Sequence, residues 1–371
     1  MANPTAKTPS HQSMVLLSRL LLTPIDGDAS SGTLVPALRS DLRNINRDEF
    51  DDLVRLASSN HVLVRGMDTF LAFMREAGDG TRTAWAQVAL TAERKRVSAA
   101  LQFLENICMA FKCEKCDIAV IKSLDHWPDL GSDLDLFTNA DSKVISDLMA
   151  RCFNAAIAPR SWGDRLAGKW NFLIPGLPEA VEIHVGRLGQ TGEQVTIASR
   201  LLARSRRLMI GNQSFPVPSA SDRLMISTLQ RMYRHFYFRL CDIVDSAVLV
   251  ESGSVDFQDL RSSATDAGIW QGVATYLVIV SDYVASYRGR GLDLPYFVHA
   301  AARFGGDDVY YAREFLRVPI MPQSATLYKA QLAGMFRKLE LRNGARLSLL
   351  PWLATAALVG QRITGSDKGI W

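Results

Sequence analysis

The segment Gly131-Ser132-Asp133-Leu134-Asp135-Leu136-Phe137 alternates acidic and apolar residues with a period of two, which is the period of a β-strand. On such a strand Asp133 and Asp135 project from one face, about 7 Å apart along the chain. Leu134 and Leu136 then point the other way, into a core. Two carboxylates held side by side resist ionising together unless a cation lies between them. Oxygen-only ligands of this kind suit Mg²⁺.

The pattern extends on both sides. Residues 117–121, an apolar run rich in β-branched side chains, read as a preceding strand, followed by a loop with Trp127, Pro128 and Gly131. A helix is expected over 141–156, with Pro159 soon after its end. Strands are expected over 170–174 and 180–185. Pro175-Gly176-Leu177-Pro178-Glu179 joins them as a dense run of turn residues, so the pair reads as an antiparallel hairpin. The second strand, Val181-Glu182-Ile183-His184-Val185, again sets an acidic residue between apolar ones. If it neighbours the first, Asp133, Asp135 and Glu182 converge on one or two metal ions. Two Mg²⁺ ions about 3.5–4 Å apart can activate an attacking oxygen and stabilise a leaving pyrophosphate. His184 shares the face of Glu182 but stays outside the expected ligand set, because Mg²⁺ prefers oxygen.

Val120-Ile121-Lys122-Ser123, a seven-residue loop, Gly131-Ser132-Asp133-Leu134-Asp135-Leu136 and then Glu182-Ile183-His184 together resemble the nucleotidyltransferase superfamily that includes DNA polymerase β. More narrowly, the chain is similar to an uncharacterised nucleotidyltransferase family with a Lys-Gly pair at the first strand's end and an Asp-x-Asp-Leu strand. In that family a leucine-rich helix precedes the core, matched here by Leu53-Val54-Arg55-Leu56-Ala57-Ser58-Ser59-Asn60-His61-Val62, and a later helix is matched by His235, Arg239, Leu240 and Asp245. The resemblance covers residues 50–250. It implies an α+β fold in which a small mixed-sheet nucleotidyltransferase core is flanked by helical regions. It also implies phosphate contacts from Lys122 and Ser123, with Gly131 and Ser132 completing the nucleotide site. Ser123 stands where the family carries glycine.

The flanks read as helices, giving an N-terminal helical region over 1–112, a core over 113–218 and a C-terminal helical region over 219–371. Residues 1–12 are polar and read as a loose tail; 14–22 read as a first helix. Asn46 and Glu49 form a capping pattern before the apolar stripe Phe50, Leu53, Val54 and Ala57. Gly78-Asp79-Gly80 is a break, and a long helix follows with Val97, Leu101, Leu104, Cys108 and Phe111 on one face. After Ser221 one helix is expected through Leu229, Tyr233 and Phe236 towards Leu249, with further helices over 270–287, 307–316 and 326–341.

The chain has 371 residues, 48% hydrophobic and 22% charged, with a net charge of +4, so it is long enough for two or three packed units. So small an excess of positive charge does not by itself call for a nucleic-acid partner. The five cysteines do not form the even framework of a small secreted chain and read as reduced thiols in a cytoplasmic protein; Cys113-x-x-Cys116 has the spacing of half a zinc site, but no second half follows. The apolar run over 347–360 is too short to span a bilayer. It reads as packed against the fold, with contact at a membrane surface the weaker reading. Arg200, Arg204, Arg206 and Arg207 form one basic cluster; Arg231, Arg234, His235 and Arg239, interleaved with Tyr233, Phe236 and Tyr237, form another. Basic residues interleaved with aromatics can bind a nucleotide or RNA through phosphate contacts and stacking; helical spacing gives a simpler account, with the aromatics in a core and the arginines on a solvated face. The expected activity is Mg²⁺-dependent transfer of a nucleoside monophosphate from an NTP, ATP by default, to a small-molecule, protein or RNA acceptor. The alternative is a catalytically inactive binding or regulatory subunit of the same fold.

Overall fold

A computed structural model describes residues 11–23, 34–353, 355 and 356. Of the tail expected over 1–12, residues 1–10 lie outside the described residues, as does the end of the apolar run with Arg362, whereas His11 and Gln12 open the first helix. The N-terminal part consists of α1 (His11–Leu22), α2 (Leu34–Asn44), α3 (Arg47–Ser59), α4 (Leu63–Glu76) and the long α5 (Gly80–Cys113). Asn46 caps α3 in a full capping box: its side chain accepts from Glu49 N, while the Glu49 carboxylate accepts from Asn46 N. Asp79 caps α5 by accepting from Arg82 N at 2.9 Å. Phe50, Leu53, Ala57, Met67 and Phe70 bury the inner stripes of this bundle.

The middle segment supplies β1 (Ile118–Val120), β2 (Asp133–Thr138), α6 (Ser142–Phe153), β3 (Ala156–Ile157), α7 (Trp162–Ala167), β4 (Lys169–Leu173) and β5 (Ala180–Val185). They form a five-stranded sheet in the order β1-β2-β5-β4-β3. β2 and β5 run parallel, and the other neighbours are antiparallel. The chain is thus mixed α+β with a small mixed sheet, and the hairpin expected before Val185 is present. One sheet face, carrying Leu134, Leu136, Val181 and Ile183, packs on Val97, Leu101, Leu104 and Phe111 of α5. The opposite face places Ala119, Ile121 and Phe137 in a second core with the C-terminal helices.

α8 (Val195–Leu201), the hairpin β6 (Arg206–Ile210) and β7 (Gln213–Val217), and α9 (Ala220–Gln230) follow. Here the structure departs from the expected long helix. Ser219, not Ser221, caps α9. The helix then widens into a π-turn over Arg231–His235, and Phe236 adopts a left-handed backbone (φ 55°). Tyr237–Phe238 is a short strand, β8, and α10 (Leu240–Glu251) starts afresh. α11 (Phe257–Asp266), α12 (Trp270–Arg288) and α13 (Tyr296–Ala301) complete the C-terminal core. The helix expected over 307–316 is also replaced by strands, β9 (Tyr310–Ala312) and β10 (Phe315–Arg317), before α14 (Ala325–Arg337) and α15 (Leu341–Ser348). β8 pairs with β10, Phe238 opposite Leu316 and Tyr237 opposite Arg317. That non-local pairing satisfies backbone groups which a helix would have satisfied locally. Among the described residues no helix is long and apolar enough to cross a membrane.

Leu134 lies between the two aspartates and is fully buried, whereas Ser132 is exposed. Leu134→Ala is expected to cost about 2–5 kcal/mol, the range for cavity-forming core truncations. Ser132→Ala is expected to cost about 0.5 kcal/mol or less, as a surface substitution. Equal shifts in denaturant midpoint for the two variants would contradict the assignment of strand faces.

Candidate active site

Parallel pairing of β2 with β5 sets Asp135 directly opposite Glu182. Because paired residues share a side, both carboxylates face the same way, and Asp133 joins them one strand period earlier. This polar patch borders a cavity of about 180 Å³, lined also by Lys122, Ser123, Gly131 and Ser132. All seven residues expected from the sequence thus border one space. They are not equally close, however. Asp135, Glu182 and His184 bring ligand atoms within 4.8 Å of one another, and Asp133 is not in that tight group. Ser132 Oγ donates to Asp133 Oδ2 at 3.3 Å and orients it.

Ammonium groups answer the negative charge. Lys122 Nζ is in contact with Asp135 Oδ1 and lies 3.6 Å from Glu182 Oε1. Lys169, on β4 opposite His184 and 2% exposed, donates to Glu182 Oε1 at 2.7 Å. His184 Nε2 reaches the same oxygen at 2.8 Å. Burial pushes the Glu182 carboxyl up, but the charges of Lys169, Lys122 and His184 outweigh it and hold the group well below the usual range. Burial, with the field of Arg234, lowers Lys169 to about 8. Asp133 moves up, through enclosure and through the charges of Asp135 and Glu182.

Lys122 is presented by a strained turn. Ser123 N donates to Ile121 O at 2.6 Å, and Lys122 takes φ 61°, ψ −57°, the γ-turn geometry that is rare for a residue with a side chain. Such conformations cost on the order of 1–3 kcal/mol and persist where their surroundings enforce them. The Ser123 hydroxyl anchors the turn. It accepts from Asp135 N at 2.7 Å and donates to Asp133 O at 3.2 Å, tying the turn to β2.

The far wall of the cavity comes from the broken helix. Arg231, Arg234, His235, Tyr237 and Arg239 line it together with His61 and His126. The solvated-face reading of these arginines is overturned for Arg231, which is 1% exposed and pairs with Asp242 at 2.7 Å. The other basic cluster is partly internal as well, since Arg200 and Arg204 both pair with Asp222 and Asp259. Burial and the surrounding arginines push His61 and His235 far down, so both are neutral at physiological pH.

Behind the wall, a buried network joins three parts of the chain. Arg65 of α4 binds Asp129 (2.8 Å) and Asp245 of α10 (2.6 Å), and Asp245 holds His126 Nδ1 at 2.5 Å. Lys169, Arg65 and His126 escaped the sequence reading because only strand register and tertiary contact bring them here. All five cysteines are free, and Cys113 and Cys116 carry no ligand partners among the described residues.

The donor set fits a divalent cation. Two carboxylates face each other across paired strands, a third lies beside them, and a flexible ammonium stands between Asp135 and Glu182, where positive charge is required. No family model, curated protein or solved structure matches this chain.

Glu182 gives a pH signature. Its folded pKa lies below the unfolded value near 4.5. The resulting stabilisation is complete above the unfolded pKa and is lost as pH falls through the folded one. With a chelator present, the melting-temperature advantage of the wild type over Glu182→Gln should therefore be largest near neutrality and shrink on acidification below about pH 4.5. An advantage that stays constant down to about pH 3 would refute this.

Proposed function

We propose that the protein is a Mg²⁺-dependent nucleotidyltransferase that moves a nucleoside monophosphate from an NTP to an acceptor. The observation carrying this reading is the Asp135–Glu182 pairing across parallel strands, with Asp133 on the same face of the cavity. In the reaction an acceptor oxygen or nitrogen bonds to the α-phosphorus, the bond to the bridging oxygen breaks, and pyrophosphate leaves with that electron pair. The acceptor's proton passes to a base. Asp133, Asp135 and Glu182 would hold the ions, which supply Lewis-acid stabilisation of the phosphoryl charge.

The chain's own residues do the positioning. Ser123 and the strained turn at Lys122 fix the start of β2. Lys122, on its flexible stem, would be free to reach phosphate oxygens were Asp135 and Glu182 to hold a divalent cation. Gly131 and Ser132 form the lip between the cavity and an adjoining cleft of about 380 Å³, through which an acceptor enters. Glu182 Oε1 already accepts two hydrogen bonds. Asp133, exposed at the cavity and outside the tight Asp135–Glu182–His184 group, completes the carboxylate set. The acceptor is a small molecule, a protein side chain or an RNA end; the nucleotide is ATP by default, and the setting is cytoplasmic.

A second reading, a catalytically inactive binding subunit, draws on one observation: the protein's own Lys122 and Lys169 neutralise Asp135 and Glu182. The two separate on incubation with each α-labelled NTP, Mg²⁺ and cell extract. Transferase activity predicts covalent labelling and pyrophosphate release. Asp135→Asn should reduce both by roughly a hundredfold or more, the loss of several kcal/mol of charge stabilisation at about 1.4 kcal/mol per factor of ten. Mg²⁺-dependent NTP binding without pyrophosphate from any nucleotide would establish the inactive form instead.

A further inference from the structure

The wall opposite the carboxylates carries a charge that the protein itself leaves unanswered. Most buried or half-buried arginines in this chain have carboxylate partners: Arg65 with Asp129 and Asp245, Arg96 with Glu93 and Glu179, Arg204 with Asp222 and Asp259, Arg223 with Asp125. Arg234 and Arg239 are half-buried and form no ion pair among the described residues. Arg239 Nε is buried without a hydrogen-bond partner. Its guanidinium lies over the rings of Tyr237 (5.9 Å) and Phe315 (5.7 Å), which are themselves stacked at 4.5 Å. Arg231 directs its Nε to Asp242, yet its Nη1 is buried without a hydrogen-bond partner in a side chain only 1% exposed.

Burying guanidinium donors without acceptors is costly. A wall built this way is complete only when an anion sits against it. We infer that Arg231, Arg234 and Arg239 form a phosphoanion subsite facing the carboxylate strands. The ligand class follows from the donors. Several forked guanidiniums converge on one cavity, which suits a group with several charged oxygens; a single carboxylate would leave most of the donors unmet. The aromatic pair holds the Arg239 fork in one plane and so reduces the entropy lost on binding. The cavity volume of about 180 Å³ favours a compact phosphate or polyphosphate group over a polymer track.

This subsite rests on the arginines and not on turnover, although it deepens the transferase reading by giving the second wall its ligand. Two sources share the chemistry: the polyphosphate of the nucleotide, or a phosphate on the acceptor. The test is calorimetric titration of the full chain with inorganic tripolyphosphate in a chelator, so that neither Mg²⁺ nor catalysis enters. The wild type should bind saturably. Arg234→Gln and Arg239→Gln should each weaken binding roughly tenfold, the loss of one charge-assisted contact, and the pair by more than either alone. Arg239→Lys, which keeps the charge but loses the fork, should fall between. Arg47→Gln, an exposed arginine of α3, should leave binding unchanged.

Neither Arg234 nor Arg239 holds a carboxylate, so their removal strands no charge, and melting temperatures near the wild type confirm folding. Tripolyphosphate displaced by ATP assigns the subsite to the nucleotide; simultaneous binding of both assigns it to the acceptor. Absence of tripolyphosphate binding, or binding untouched by the arginine substitutions, overturns the inference. Failure of NTP turnover alone leaves it standing.

Discussion

The register between two parallel strands carries the rest of this structure. With β2 and β5 paired so that Asp135 faces Glu182, both sheet faces are determined at once. A slip of one residue would turn Leu134, Leu136, Val181 and Ile183 towards the cavity and drive three carboxylates into the α5 core. The apolar side locks the register, because those four side chains are fully buried. Hydrophobic packing thereby has an electrostatic consequence, since it holds like charges together that would otherwise separate. The repulsion is met by Lys122 and Lys169, one from a strained turn and one from the neighbouring antiparallel strand.

Buried charge organises the surroundings as well. Arg65, Asp129, Asp245 and His126 link α4, the loop before β2 and α10 into one polar network. Removing one member of such a network strands the others in a low dielectric, at a cost of several kcal/mol. The network therefore fixes how the N-terminal bundle and the C-terminal helices meet over the sheet. His61 stacks on His126 at 5.7 Å, which brings this junction to the rim of the cavity.

Much of this was legible in the amino-acid order, wherever the controlling interactions were local. The Asn46–Glu49 box, the break at Gly78-Asp79-Gly80 and the stripe from Val97 to Phe111 act within a few residues, and those helices form as expected. The alternation around Asp133 and Glu182 likewise reads directly as strand. Two expectations failed for one shared reason. The helix expected from Ser221 to Leu249 and the helix expected over 307–316 both give way because Tyr237–Phe238 and Phe315–Arg317 pair with each other. Their apolar and aromatic residues suit either periodicity, and only a partner far along the chain selects the strand. That pairing also unwinds the stretch bearing Arg231, Arg234 and Arg239 and aims it inward. The misplacement of the arginines thus follows from the misplaced helix. Lys169 was hidden differently: nothing in its neighbourhood marks it, and only the β4–β5 register brings it to Glu182.

The separation of charge across the cavity follows from these two pairings taken together. The sheet contributes acidic groups, and the interrupted helix contributes guanidiniums. No direct ion pair between the two walls closes the gap among the described residues. Opposite charges held apart by a rigid frame create a field across the space between them, stronger there than it would be in water. A ligand best suited to that field carries positive charge towards the sheet and negative charge towards the helices. A divalent cation bound to a phosphate group has that polarity. A monovalent anion alone satisfies only the arginines, and a cation alone satisfies only the strands. Under the proposed chemistry a metal–phosphate complex is therefore the ligand that satisfies both walls at once.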